Sequence, residues 1–214
     1  MKNFIDKKIF DYTLNNSSDE PDILKELNRE THLKILNPRM LSGNYQGRIL
    51  SLITKILRPK SILEIGTYTG YSTICFSEGL HDKGFIHTID HNEELIDIQN
   101  KYFKKARISE KVIQYSGDAI KIIDKLSFEF DLVFIDADKE NYPLYFDLVI
   151  DKVKSGGVII ADNILWSGKI LDKVEDDDLA TKSILEFNDK VNTDKRVETV
   201  ILPVRDGLSF IRKI

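Results

Sequence analysis

Apolar positions set the outline of this chain. From residue 60 onward, short apolar runs at 61–65, 85–89, 112–115, 131–135 and 157–161 alternate with amphipathic stretches. Near-continuous apolar strands separated by helices predict a parallel sheet covered on both faces. In one such stretch, Tyr142, Tyr145, Phe146, Val149, Ile150 and Val153 recur at helical spacing. The chain's end differs, because Val197 to Val204 and Leu208 to Ile214 are extended runs joined at Arg205-Asp206-Gly207. Asp-Gly between apolar runs marks a hairpin, so this last pair is expected to be antiparallel. Upstream, residues 1–57 read as helical. Leu24 and Leu27 follow Pro21, which is well placed near a helix start. Ile49, Leu50, Ile53, Ile56 and Leu57 predict a buried helical stripe that ends at Pro59. Asn37-Pro38 and Ser42-Gly43-Asn44 punctuate the gap between these helices. With no repeat, low-complexity tract or linker composition, the economical expectation is one domain over 1–214. It comprises a helical N-terminal extension (1–57) and an α/β core (58–214).

Composition adds bounds. The 214 residues are 42% hydrophobic and 31% charged, enough for one domain with a substantial core. A net charge of −4 gives no overall electrostatic reason for nonspecific nucleic-acid binding. Cys75 is the single cysteine, so no internal disulfide forms and a reducing cytoplasm is the expected compartment. On the helix after the glycine turn it reads as a small buried hydrophobe. The first residues, MKNFIDKKIFDY, carry no apolar h-region, and no run approaches the ~18 residues of a membrane span.

Candidate chemistry lies at the strand ends, where open parallel sheets bind ligands. The first run ends in Glu64-Ile65-Gly66-Thr67-Tyr68-Thr69-Gly70-Tyr71-Ser72-Thr73, an acidic strand end and a glycine-punctuated turn opening into a helix. Such a turn lays backbone N–H groups around a nucleoside-bearing ligand. Gly66 and Gly70 stand four apart, which departs from the G-x-G-x-x-G of dinucleotide sites. Asp90, twenty residues past Gly70, closes the second run and can accept hydrogen bonds from both hydroxyls of a ribose. Asn92 serves better than Asp90 as the cap of the helix that follows. After the third run, Asp118 suits a helix cap at least as well as a ligand contact.

The fourth run ends in Asp136-Ala137-Asp138-Lys139 and the fifth in Asp162-Asn163. Carboxylates after such apolar runs are costly unless a cation or a donor compensates them. Asp136, Asp162 and the Asn163 amide form a hard, all-oxygen set that suits Mg²⁺ or Ca²⁺; the lack of His and Cys argues against zinc. One Asp at a strand-to-helix turn is commonly a cap, whereas two facing strand ends of this kind point to a metal. His32, His81, His87 and His91 show no ligand-type pairing.

Together these motifs resemble the cation-dependent O-methyltransferases, the family of caffeoyl-CoA and catechol O-methyltransferases and their small bacterial relatives. The resemblance runs over roughly residues 38 to 214. It rests on M-L-S-G-N-Y-Q-G at 40–47, E-I-G-T-Y-T-G-Y-S at 64–72, F-I-D-A-D-K-E-N-Y at 134–142 and D-N-x-L-W-x-G at 162–168. It implies a Rossmann-like S-adenosylmethionine (SAM)-dependent methyltransferase fold. That fold has a seven-stranded, mostly parallel sheet with an antiparallel C-terminal hairpin and helices on both faces. By this resemblance Asp136, Asp162 and Asn163 hold Mg²⁺ (or Mn²⁺ or Ca²⁺), and Ser42, Glu64, Gly66, Thr67, Ser72, Asp90, Ala119 and Asp138 line the SAM pocket. Lys139 matches the general base, Tyr71 and Met40 fall near the sulfonium end, and Trp166 walls the cleft or is simply core. The first 37 residues depart from plant-type members.

The implied reaction moves a methyl group from SAM to a hydroxyl of a catechol-like or other phenolic small molecule. Catalytic roles fall to Lys139 and Asp136. Lys139 alone reads equally as a surface lysine paired to Asp138 or Glu140. The same chemistry on a hydroxylated uridine of tRNA is an alternative, with Lys101, Lys104, Lys105 and Lys111 as a local basic face. A non-catalytic SAM binder is another, against which the full set Asp136, Asp162, Asn163 and Lys139 argues. Glycine spacing disfavours an NAD-dependent dehydrogenase. The run Glu175-Asp176-Asp177-Asp178 reads as a solvated loop or helix start. A homodimer is the expected assembly, with no membrane association.

Overall fold

Each apolar run becomes a strand: β1 (Ser61–Ile65), β2 (Phe85–Asp90), β3 (Val112–Ser116), β4 (Phe130–Ile135), β5 (Val153–Asp162), β6 (Val197–Leu202) and β7 (Leu208–Lys213). They form a seven-stranded sheet in the order β3-β2-β1-β4-β5-β7-β6. This computed structural model describes residues 5–214, so residues 1–4 of the expected helical extension lie outside the described residues. The helices are α1 (Lys7–Asn15), α2 (Asp22–Lys34), α3 (Gly43–Leu57), α4 (Tyr71–Ser77), α5 (Ile96–Lys105), α6 (Ala119–Lys125), α7 (Tyr142–Ile150) and α8 (Leu179–Thr193). Among the described residues, no helix is long and apolar enough to cross a membrane. Residue contacts divide the described chain into two compact units, residues 7–118 and 119–214.

In the unit of residues 7–118, β1 and β2 run parallel with Ile62 opposite Ile86 and Ile65 opposite Ile89. Helix α3 buries a different face from the expected stripe. Gln46, Gly47, Leu50, Ser51 and Thr54 are buried, whereas Ile56 and Leu57 are exposed. The reason is close approach. A Cβ on Gly79 would stand 2.2 Å from the backbone nitrogen of Lys55, and one on Gly47 would stand 2.8 Å from the Tyr71 ring. Small residues set this helix contact, so the larger side chains face elsewhere. Glu78 fastens it, accepting from Arg48 Nη1 at 3.0 Å, Ser51 Oγ at 2.8 Å and Lys55 Nζ at 2.8 Å. Burial works against that carboxylate's charge, yet these donors outweigh it and hold its pKa at about 2. Cys75 is fully buried and burial pushes its thiol up, as suits an inert core residue.

In the unit of residues 119–214, β4 and β5 are parallel, with Leu132 opposite Val158 and Ile135 opposite Ala161. Strand β5 starts earlier than its apolar run, at Val153, because Gly156 (φ 81°) interrupts the hydrophobic pattern and not the strand. The hairpin is as expected: β7 pairs antiparallel with both β5 and β6. Helix α7 buries Tyr142, Tyr145, Phe146, Val149 and Ile150. Phe187 of α8 meets the Tyr142 ring edge-on at 5.4 Å and Phe146 at 6.2 Å. Burial of each such ring contributes about 1.5–3 kcal/mol. Asp178 caps α8, accepting the Thr181 N–H at 3.1 Å, so the acidic run ends as a helix start.

Candidate active site

Within residues 7–118, the glycine turn leaves β1 already tied to β2. The N–H groups of Gly66 and Thr67 donate to the Ile89 carbonyl at 2.9 and 3.3 Å. Asp90 clamps the turn from the end of β2, Oδ2 accepting the Tyr68 N–H at 2.7 Å and Oδ1 the Asn92 N–H at 2.8 Å. Tyr68 sits at φ 48°, and Gln99 Nε2 holds its carbonyl at 2.7 Å. Asn92 caps the following turn, its side chain accepting the Glu94 N–H at 3.0 Å. Gly70 has φ 87°, and a Cβ there would lie 2.6 Å from the Phe103 ring, so packing alone requires glycine at that position.

Glu64 is wholly buried. Its carboxylate accepts from Ser72 Oγ and Thr73 Oγ1, both at 2.5 Å, and from Thr88 Oγ1 at 2.6 Å. Thr88 spends its one proton there, so Thr67 Oγ1 donates to it across 2.5 Å. Glu64, Ser72 and Thr67 thus form one internal network joining β1, β2 and α4. Ser42 is buried at the start of α3. Met40 is exposed, whereas Tyr71 is buried with its hydroxyl donating to Glu20.

Within residues 119–214, register brings two acids together. Asp136 follows Ile135 and Asp162 follows Ala161, and those two residues are paired. Neighbouring strands lie about 4.8 Å apart and register partners face the same side, so the two carboxyl-bearing residues are adjacent. Asp162 is 3% exposed, with Oδ1 accepting the Asn163 N–H at 2.7 Å. Asn163 takes the left-handed conformation, φ 61°. The Lys139 side chain is 10% exposed, and Nζ donates to Asp136 Oδ1 at 3.1 Å and to the Tyr142 hydroxyl at 2.6 Å. Lys139 is therefore neither a surface residue nor the partner of Asp138 or Glu140. Asp138 is exposed and accepts from Tyr145 Oη at 2.5 Å and from Asn141 Nδ2. Ala119, half-exposed, begins α6 directly after Asp118.

The Tyr142 hydroxyl reports the local field. Burial first, then the charges of Asp136, Asp162 and Asp138, push its pKa well up. Of these carboxylates, Asp136 pairs directly with the Lys139 amine, while the charges of Asp162 and Asp138 also reach the Tyr142 hydroxyl. Among the described residues no three His, Cys, Asp or Glu side chains are grouped to hold a metal. A cation here would use two carboxylates, the Asn163 amide oxygen and water or substrate oxygens, which fits a hard ion that keeps waters. Trp166 and Ser167 follow with φ 46° and 55°, and the buried Asp206 carboxylate accepts the Ser167 N–H.

Comparison with known proteins gives this geometry a family. A family model described as O-methyltransferase matches residues 14–214. Caffeoyl-CoA O-methyltransferase 5 of Nicotiana tabacum is 34% identical over 209 residues, spanning 91% of this chain and 85% of that protein. The chain belongs to the O-methyltransferase family. An SAH-bound methyltransferase of Podospora anserina superposes with a TM-score of 0.88 at 28% identity, over 97% of this chain and 94% of that one. The Bacillus cereus O-methyltransferase solved in complex with SAH gives 0.85 at 27% identity, over 97% of each chain. The family match begins at residue 14, upstream of the expected 38, so α2 belongs to the shared pattern.

Sequence reasoning missed the residues that support these side chains: Tyr142 at Lys139, Tyr145 and Asn141 on Asp138, and Asp206 on Ser167. Tyr142 stood in the sequence as the last residue of the 134–142 motif and as an apolar-face position three residues beyond Lys139, with no role assigned to its hydroxyl. The lysines expected as a basic face are partly neutralised. Lys101 pairs with Glu30 and Lys105 with Glu26. Donors from Lys101, Lys34 and Tyr102 hold the Glu30 pKa at about 2.

Proposed function

We propose that this O-methyltransferase moves a methyl group from SAM to a hydroxyl of a catechol-like or other phenolic small molecule, with a divalent ion, Mg²⁺ by chemistry, held by Asp136, Asp162 and Asn163. The observation that carries the reading is the in-register pair Asp136 and Asp162 with the Lys139 amine held at Asp136. SAH in the Bacillus cereus and Podospora anserina relatives supports the co-substrate. Asp90, at the end of β2, is the residue offered to its ribose.

SAM brings a methyl group already activated on a sulfonium, so the protein's task is to present a deprotonated oxygen in line with it. Such an ion supplies electrostatic stabilisation of the acceptor's oxyanion and a template for neighbouring hydroxyls. A phenol has a pKa near ~10 and is mostly protonated at neutral pH. Lys139 in its neutral form takes that proton at Nζ, and Asp136 steadies the ammonium that results. Pairing of Lys101 and Lys105 with glutamates supports a small-molecule acceptor over tRNA.

The test is methyl transfer from labelled SAM to catechols, hydroxycinnamoyl thioesters, flavonoids and undermodified tRNA, each with divalent ion or chelator. Ion-dependent methylation of a vicinal diol on an aromatic ring is the expected result. Methylation of tRNA alone, or full turnover in excess chelator, overturns the reading.

A further inference from the structure

We propose that Tyr142 is a positioning residue for methyl transfer that acts through Lys139, a role resting on the reading of Lys139 as the proton acceptor. Tyr142 is wholly buried at the first position of α7. Its hydroxyl lies 2.8 Å from the Asp162 carbonyl oxygen and 3.2 Å from that of Ile135. Carbonyls only accept, so the single phenolic proton is committed to the ends of β5 and β4. Toward Lys139 the oxygen is left as an acceptor, at 2.6 Å from Nζ.

That polarity decides what Lys139 presents. Of the three tetrahedral positions on Nζ beyond its carbon, one N–H goes to Tyr142 and one to Asp136 Oδ1, 3.1 Å away. One position on Nζ remains to face an incoming hydroxyl. The lysine stem is flexible, and a single contact to Asp136 leaves the amine free to swing. Two contacts fix it. Nζ also lies 4.6 Å from the centroid of the Tyr142 ring, which Phe187 packs edge-on. The ring cannot carry its hydroxyl away without displacing the α8 contact.

The experiment compares wild type, Tyr142→Phe, Lys139→Met and the double variant, each uniformly carrying lysine labelled with ¹³C at Cε. The Lys139 signal is assigned by its loss in Lys139→Met. In wild type its two ε-methylene protons are expected to be inequivalent, the mark of an immobilised side chain, and in Tyr142→Phe they average. Tyr142→Phe should lower kcat about tenfold or more while acceptor KM and SAM Kd stay within about twofold. In the Lys139→Met background the same substitution should change kcat by less than about twofold. Equivalent ε-protons in wild type, an unchanged kcat in Tyr142→Phe, or the same loss in both backgrounds overturns the proposal. If Lys139→Met is impaired and Tyr142→Phe is not, only the positioning role falls. Wild-type kcat in Lys139→Met removes the base assignment itself, and Tyr142 with it.

Discussion

Asp162 stands beside Asp136 at the ends of two parallel strands, each one residue past the paired Ile135 and Ala161. The adjacency is a consequence of register. A slip of one residue would send one carboxylate to the opposite face of the sheet. Asp162 is almost wholly buried with Oδ1 accepting the Asn163 N–H, and the Lys139 amine donates to Asp136. Two strand ends, not a loop, therefore fix the spacing of the proposed ion's oxygens.

Asp162→Asn keeps the shape and the acceptor for the Asn163 N–H but removes one of these charges. It is expected to weaken Mn²⁺ binding by about 10–100-fold, measured by titration calorimetry, while SAM binding is retained. Unchanged Mn²⁺ affinity would remove Asp162 from the metal site.

Glu64 offers a different kind of test, because three hydroxyl groups donate to its carboxylate in a site without solvent. Glu64→Ala leaves Ser72, Thr73 and Thr88 short of partners and opens a void. A loss of about 2–4 kcal/mol is expected in guanidinium unfolding, with the slope unchanged. A change below about 0.5 kcal/mol would show that the network is not what joins β1, β2 and α4.

The parallel strands were legible because strands buried on both faces leave unbroken Ile, Leu and Val runs. The strand-end positions of Asp136, Asp162 and Asp90 were legible because each closes an apolar run. Helix α3 misled for the converse reason: its buried face is chosen by how closely α4 approaches, so Gly47, Ser51 and Thr54 go inside and Ile56 stays out. The partner of Lys139 was hidden too, since Asp136, Asp138 and Glu140 are all within reach along the chain. Tyr142 carries its polar atom on a large apolar body, and hydropathy registers only the body. Asp206 announced a turn through its neighbour Gly207, but nothing local announces a contact 39 positions away at Ser167.

Acid should loosen the α3–α4 contact through Glu78. Its folded pKa lies at about 2 against an ordinary 4.5, so its contribution is complete above 4.5 and fades as pH falls toward 2. A shift of that size sets a ceiling of about 3 kcal/mol. Urea midpoints should fall more steeply between pH 4.5 and 2 in wild type than in Glu78→Gln. Parallel pH profiles would mean that the Arg48 pair contributes nothing to the acid transition.

Asp206 should behave in the opposite sense. Its carboxyl is 4% exposed, and burial raises its pKa above the usual 3.8, with the Ser167 contacts only partly opposing that rise. A raised carboxyl pKa means the folded state holds its proton longer than the unfolded chain does. Charging the group therefore costs stability as pH climbs from 3.8 through the folded value. Asp206→Asn stays neutral and keeps an oxygen to accept the Ser167 N–H. The variant is expected to gain on wild type as pH rises from 3 to 7, by about 1 kcal/mol at the upper end. Asp206→Ala also lacks the charge but strands the Ser167 N–H, so it should gain less than Asp206→Asn at pH 7. Urea unfolding of the three proteins across that range separates the two contributions. Equal stabilities for the Asn and Ala variants would show that the Ser167 contact does not hold the turn after Asn163.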